Sequence, residues 1–573
     1  MNSYILTVLL LIHGYIYSQE LITPFEKDKL SSTTYDECIS FYKQLDETYD
    51  EVKMTEAGET DIGRPLHVVV ISKDGYFTPE EARMNGKVIL FINNGIHPGE
   101  PDGVDACMMF ARDLVLGKEN LPGNVILVII PIYNVDGSIN RNDFTRANQV
   151  GPKEYGFRGN AENRDLNRDF IKCDTKNARS FVAIFRQWKP EIFVDTHTSD
   201  GADYQYIMTY IATQHNKLEK PLAEFMLHTM IPQLEQNMKE KSFEMCPYVT
   251  TLKSTPDSGI VEFPETPRYS TGYASLFNTI GFVTETHMLK THEQRVMSQY
   301  EFLINILKFT NSYFTVISSN KNKADKNTKS KNDFVLTWKL DSANTTPLLF
   351  KGYEAKYKPS VISGFGRLYY DRNSPYEKII PFYNNYIPDV VITKPEAYIV
   401  PQAWWQVIEL LKLNGVSMEQ LSNDKSFEVE SYYIESFDTR NPPYEGHYLH
   451  SNVKLRKVSK TRKFYKGDYI IYTNQQSNNF IMHVLEPQAG DSYFNWNFFD
   501  AILQQKEGFD PYVFEDIAGS MLSSKPALKD EFDRKKADDE KFRNNGEAQL
   551  KFIYDNTILE PEFMRYPVGR IVK

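Results

Sequence analysis

The run NVILVIIPIYN, residues 124–134, constrains this chain more than any other stretch. It is almost wholly apolar, rich in Val and Ile, and much too short to cross a bilayer. A strand with one wet face alternates polar and apolar residues. A strand without that alternation must be covered on both faces, which is the position of an inner strand in a parallel sheet flanked by helices. The neighbouring segments agree. LHVVVIS (66–72), KVILFINNG (87–95), EIFVDTHTSDG (191–201) and GFVTETHM (281–288) read as strands. Residues 33–52, with Tyr35, Ile39, Tyr42 and Leu45, have helical spacing, as do DACMMFARDLVLG (105–117) and RSFVAIFRQW (179–188). Strands alternating with helices predict an α/β fold, a mostly parallel mixed sheet with helices on both faces.

The texture changes after about residue 317. SSNKNKADKNTKSKND (318–333) has five lysines and no large apolar residue, which predicts a solvated linker or exposed loop. Beyond it, short strand-like runs such as FVLTWKL, VVITKP and GDYIIYT predict a β-rich accessory domain over 334–573, with a helical C-terminal part from about Asp500. The first residues, MNSYILTVLLLIHGYIYSQE, read as a signal peptide over 1–18, although the usual basic n-region is missing. That leaves 19–317 as the main α/β domain and points to a secreted or periplasmic protein with no later transmembrane segment. Four cysteines, none in CxxC spacing, argue against a zinc–thiolate site and leave any disulfide pairing open. A net charge of −11 argues against a broad nucleic-acid surface.

Three strand ends in the first domain finish in polar residues: His97 and Glu100 after VILFINN, His197 after IFVD, and Glu285 after GFVT. Ligands of open parallel sheets sit beyond the carboxyl ends of the strands, so these groups converge on one crevice. Two His and one Glu are enough for a catalytic zinc with a position left for water. His97 and Glu100 are three apart but cannot share a helix face, because Pro98 and Gly99 lie between them. A tight loop is the alternative. Glu285 is then a second carboxylate, of the kind general-base hydrolysis needs.

These motifs, in the order GIHPGE, PIYNVDG, FTRAN, RDLNRDF, DTHTSDG and TETHM, resemble the zinc carboxypeptidase family of carboxypeptidase A-like metallopeptidases over roughly residues 33–315. The resemblance implies one Zn2+ per chain on His97, Glu100 and His197. It implies Glu285 as the base that activates water and Arg146 as the group that polarises the scissile carbonyl, with Arg158 as a rival. It implies Asn167 and Arg168 as the pair that holds a substrate's terminal carboxylate, and Asp165 as a carboxylate that orients a ligand histidine. The family's mobile tyrosine aligns loosely with Tyr273 or Tyr269. Asp195 and His287 share strand faces with His197 and Glu285 and are further candidates. The implied function is removal of C-terminal residues from peptides with a free carboxylate. Alternatives on the same residues are an amidase or deacylase acting on cell-wall peptides or N-acyl amino acids, and a non-catalytic binding protein.

Overall fold

A computed structural model describes residues 21–557 and 562–572. The expected signal peptide lies outside the described residues. The first half is built on eight strands, β1 (Val52–Glu59), β2 (Pro65–Ile71), β3 (Val88–Asn93), β4 (Val125–Ile130), β5 (Ile192–Ser199), β6 (Met208–Ala212), β7 (Met245–Pro247) and β8 (Ile280–His287). They form one sheet in the order β1-β2-β4-β3-β5-β8-β6-β7. The inner strands β4, β3, β5 and β8 are mutually parallel. β1 and β2 at one side are antiparallel to their neighbours, and β6 is antiparallel to β8 and parallel to β7. Every residue of β3 and of β4 is buried, as their unbroken apolar runs require.

The helices that matter for the site are α1 (Asp102–Val115), α2 (Lys176–Trp188), α3 (His292–Ser312) and α4 (Phe314–Ser330). Alternation along the strands assigns them to faces. Phe91 and Phe193, paired neighbours on β3 and β5, meet Phe181 and Phe185 of α2. On the other face Phe282 of β8 meets Phe302 of α3, and Thr284 donates to Gln299 of α3 at 2.8 Å. His197 and Glu285 share the parity of Phe193, so they belong to the α2 face. Thr175 caps α2 by accepting from Ala178 N, and Thr291 closes a capping box with Gln294 at the start of α3.

The lysine-rich stretch is not a linker. Residues 314–330 are helical as α4, burying Ile317, Ala324 and Thr328 on one face. Spacings of seven and four place those three side chains in a single stripe, while Lys323, Lys326 and Lys329 are exposed and Lys321 is held against Asp325. Asn278 reaches this helix, donating to Asp325 at 2.8 Å and Thr328 at 3.0 Å. Composition alone hides a stripe this narrow.

The second half is β-rich, with a hairpin of Thr346–Pro359 and Gly366–Tyr383 and a six-stranded sheet that includes the long strands Lys425–Thr439 and His450–Phe464. It does not stand apart. Ile260–Val261 of the first half pairs with Phe382 and Tyr383 of the hairpin, and the main apolar core runs through both halves. Four helices between Pro511 and Thr557 pack around a smaller core of their own. The four cysteines are buried and unpaired. Among the described residues no helix is long and apolar enough to cross a membrane.

Candidate active site

β3 ends at Asn93, and Gly95 turns the chain at φ 66°. A tight turn follows, closed by Glu100 N donating to His97 O at 2.8 Å. Gly99 is needed for close approach: a Cβ there would lie 2.7 Å from Arg146 Cδ. This turn, and not a helix, brings His97 and Glu100 together. His197 comes from the end of β5, and Glu285 pairs with it in register on β8, so the two side chains stand next to each other.

His97 Nδ1 lies 3.3 Å from Glu100 Oε1, and His197 Nδ1 lies 3.1 Å from Glu100 Oε2. One donor atom from each of His97, Glu100 and His197 fits within 4.8 Å of the others, and all three residues are buried. The Nε2 atoms turn outward. His97 Nε2 meets Asp165 Oδ1 at 2.9 Å, and His197 Nε2 lies 3.1 Å from Asp195 Oδ2. The Asp165 hydrogen bond orients the His97 ring, a carboxylate also lies behind His197, and both Nδ1 atoms face Glu100. His97 Nδ1 is buried and has no hydrogen-bond partner. A buried orphan acceptor beside a carboxylate and a second imidazole is a donor set that fits a divalent metal of the zinc type.

The charges around this point are strong. Burial opposes ionisation of Glu100, yet His97 and Arg146 hold its carboxyl well below the usual range. Burial also opposes the charge on Asp165, and His97, Arg158 and Arg168 outweigh it. His197 is pushed well above an ordinary imidazole: desolvation is overcome by Asp195, Glu100 and Glu285. Glu285 is shifted the other way from Glu100 and Asp165. Burial, helped by the nearby negative charge of Glu100, pushes it up to about 8, with His197 and the arginines pulling the other way. Two carboxylates with opposite shifts in one site are a mark of acid–base division of labour.

A cavity of about 410 Å3 opens over these groups and is also lined by Arg146, Arg158, Asn167, Arg168 and Tyr269. Arg146 Nη1 donates to Glu100 at 2.8 Å and its Nη2 to Thr198 O at 2.9 Å. Arg158 Nε donates to Asp165 at 3.0 Å, and its Nη1 lies 3.4 Å from Glu100. Both rivals for the carbonyl-polarising role therefore reach the cavity. Asn167 and Arg168 follow Asp165 in a single helical turn, Leu166–Arg168. Arg168 does not pair with Asp169, which is taken by Lys172 and Thr175. It stacks over the Tyr269 ring at 4.4 Å, donates from Nη1 to Asn167 O at 2.8 Å, lies 3.9 Å from Asp165, and lines the cavity.

One expectation is corrected. Tyr273 is fully buried in the core, its hydroxyl donating to Asn414 at 2.7 Å, so of the two aligned tyrosines Tyr269 is the one that lines the cavity. The short helix Ser270–Ser275 separates them and turns the second ring inward. His287 is directed elsewhere, its Nε2 2.9 Å from Ala202 O and its Nδ1 accepting from Leu289 N. Three residues were missed. Glu265 and Tyr248 line the cavity from loops without a recognisable motif. Glu445, from the second half, accepts from Asp165 N at 2.9 Å, and its carbonyl accepts from Arg164 at 3.0 Å. No signal in one sequence could have paired positions 280 residues apart.

The zinc carboxypeptidase family model matches residues 38–210, a span that holds the His97, Glu100 and His197 triad and the Asp165–Arg168 turn but not Glu285. Carboxypeptidase 2 of Trichophyton rubrum is 22% identical over 488 residues, covering 81% of this chain and 84% of that protein. The homologue from Trichophyton equinum is 21% identical over 427 residues, 71% of this chain and 73% of its own. Among solved structures, carboxypeptidase A from Helicoverpa armigera has 15% identity and a TM-score of 0.36, covering 51% of this chain and 74% of that one. A metallo-carboxypeptidase from Burkholderia cenocepacia has 14% identity and a TM-score of 0.36, covering 49% and 70%. With the motif order and the convergence of the donor set, the match over residues 38–210 and the similarity to carboxypeptidase 2 proteins support a metallocarboxypeptidase of the zinc carboxypeptidase type.

Proposed function

We propose that this chain is an exported, zinc-dependent carboxypeptidase that removes C-terminal residues from peptides, with Glu285 as its general base. The observation that carries the reading is the joint position of the donor triad, Glu285 and the Asn167–Arg168 pair around one cavity. His97, Glu100 and His197 would hold one zinc ion. Bound there, zinc supplies Lewis acidity toward a carbonyl oxygen and a water molecule.

The chain's own groups supply the rest. Arg168 presents a planar fork that matches a carboxylate, and the Asn167 side chain adds a polar partner beside it. Anchoring the substrate's terminal carboxylate there sets which peptide bond reaches the triad. Glu285, with its carboxyl raised by burial, takes a proton from water and returns it to the leaving amine. Arg146 and Arg158 face the side where negative charge develops on the carbonyl oxygen, a kind of contact worth about 3 kcal/mol per donor. Asp165 and Asp195 keep both imidazoles oriented. Residues 1–18 fit an export signal and 19–317 the catalytic unit.

The test compares peptides with free and amidated C-termini, and N-acyl amino acids, followed by mass spectrometry, on zinc-loaded protein. Hydrolysis of free-carboxylate peptides that amidation blocks is expected. Glu285→Gln should lower kcat by roughly 100- to 10,000-fold while retaining zinc. Equal cleavage of amidated peptides, or full activity of Glu285→Gln, would sink the reading.

A further inference from the structure

The hairpin Thr346–Pro359/Gly366–Tyr383 ends in a turn, Ser360–Phe365, that carries large apolar side chains into solvent. Val361 is 95% exposed, Ile362 93% and Phe365 78%. Three such side chains within five residues, at the far end of a long hairpin, are not explained by packing on the chain's own core. Nothing in the proposed peptidase reaction uses them.

The backbone of this turn is already satisfied from within. Ser360 N donates to Phe365 O at 2.8 Å and Gly364 N to Ser360 O at 2.9 Å. The Ser360 hydroxyl accepts from Ile362 N and Ser363 N, and Phe365 N donates to the Ser363 hydroxyl. Five of the six N–H groups from Ser360 to Phe365 therefore have partners inside the turn. A segment entering a low-dielectric medium needs that, because water is no longer there to bond free amides.

The charge pattern selects the medium. From Ala355 to Tyr370 the chain has Lys356, Lys358 and Arg367 and no acidic residue, within a protein whose net charge is −11. Lys358 and Arg367 face each other across the hairpin one step below the turn. Lys356 is paired with Asp371, but neither Lys358 nor Arg367 has a carboxylate partner among the described residues. Tyr357, 65% exposed, and Tyr369, under the Lys358 ammonium at 4.8 Å, lie at the same level. An apolar tip, then a ring of cations and tyrosines, is the order of layers met on crossing from acyl chains to anionic headgroups.

We infer that this turn is an interfacial anchor: Val361, Ile362 and Phe365 enter the surface of an anionic lipid bilayer, with Lys358 and Arg367 against its headgroups. The anchor is reversible, since three side chains bury far less apolar surface than a spanning helix. The experiment is co-sedimentation of the full chain with vesicles of phosphatidylcholine, with and without phosphatidylglycerol. Binding is expected on the phosphatidylglycerol vesicles and is weaker on phosphatidylcholine alone. The triple variant Val361→Ser, Ile362→Ser, Phe365→Ser should bind roughly tenfold or more weakly, with an unchanged unfolding temperature because these side chains are exposed. Lys358→Gln with Arg367→Gln should erase the preference for anionic vesicles. Failure of the parent chain to bind, or equal binding by the triple variant, would overturn the inference. So would a dimer in sedimentation velocity that the triple variant abolishes without any vesicle binding, since the tip would then be serving a second copy of the chain.

Discussion

Glu445→Ala is the sharpest test of how the two halves share one site. The Glu445 carboxylate accepts from Asp165 N at 2.9 Å. Asp165 Oδ1 in turn holds both His97 Nε2 and Asn167 N at 2.9 Å, and its Oδ2 holds Arg158. One carboxylate from the second half thus steadies a residue touching His97 of the proposed metal triad, Asn167 of the proposed substrate-carboxylate pair and Arg158. A hydrogen bond to a charged group contributes about 1.5–3 kcal/mol, and losing the support of a ligand histidine costs about 10- to 100-fold. Since tenfold is about 1.4 kcal/mol, the two figures describe an effect of the same size. Glu445→Ala should therefore lower kcat/KM and zinc affinity together, each by roughly 10- to 100-fold. Glu445→Gln keeps an acceptor at the same place and should recover most of both. The measurements are steady-state kinetics and zinc titration against a competing chelator. If Glu445→Ala matches the parent in both while only its unfolding temperature falls, Glu445 is a structural tie and the reasoning fails.

Other perturbations have defined outcomes. His292 lies 2.8 Å from Asp102 and 3.5 Å from Asp105, and these carboxylates outweigh burial to raise it from 6.5 to about 9. Its contribution, about 3 kcal/mol, is complete below pH 6.5 and is lost as pH rises through about 9, so urea unfolding should show that decline and His292→Gln should flatten it. Tyr273→Phe leaves Asn414 without its hydroxyl partner and should cost about 1–3 kcal/mol of stability with kcat/KM unchanged. Tyr269→Ala should instead raise KM, since it removes the ring beneath Arg168; the opposite pattern would restore Tyr273 to the site. Gly272→Ala puts a Cβ 2.0 Å from the Thr266 carbonyl oxygen, behind the Tyr269 loop, so calorimetry and kinetics should both register a loss, with about 1–3 kcal/mol of strain.

What was legible in the sequence follows physical range. The two-face burial of β3 and β4 is written in consecutive residues, so their place in the sheet could be read directly. His97, Glu100, His197 and Glu285 were legible because each ends an apolar run, and parallel strands bring their ends together whatever the loop lengths. Tyr269 against Tyr273 was not, because four residues of short helix decide which ring faces the cavity. The α4 helix was hidden by composition: its lysines dominate the stretch, while Ile317, Ala324 and Thr328 carry the packing. Glu445 was beyond reach, since its contact with Asp165 depends on how a distant hairpin loop lies on the first half.

The pairing of Ile260–Val261 with the later hairpin, together with the Glu445 contact, has a consequence in time. Synthesis runs from the amino terminus, so the proposed zinc ligands and Glu285 are made before the strands and loop that brace them. A nascent or truncated chain ending near residue 333 holds the proposed ligands and Glu285 and lacks Glu445 and the hairpin edge. On the proposed reading, a bracing contact at Asp165 is therefore completed only once the residues after 333 have docked.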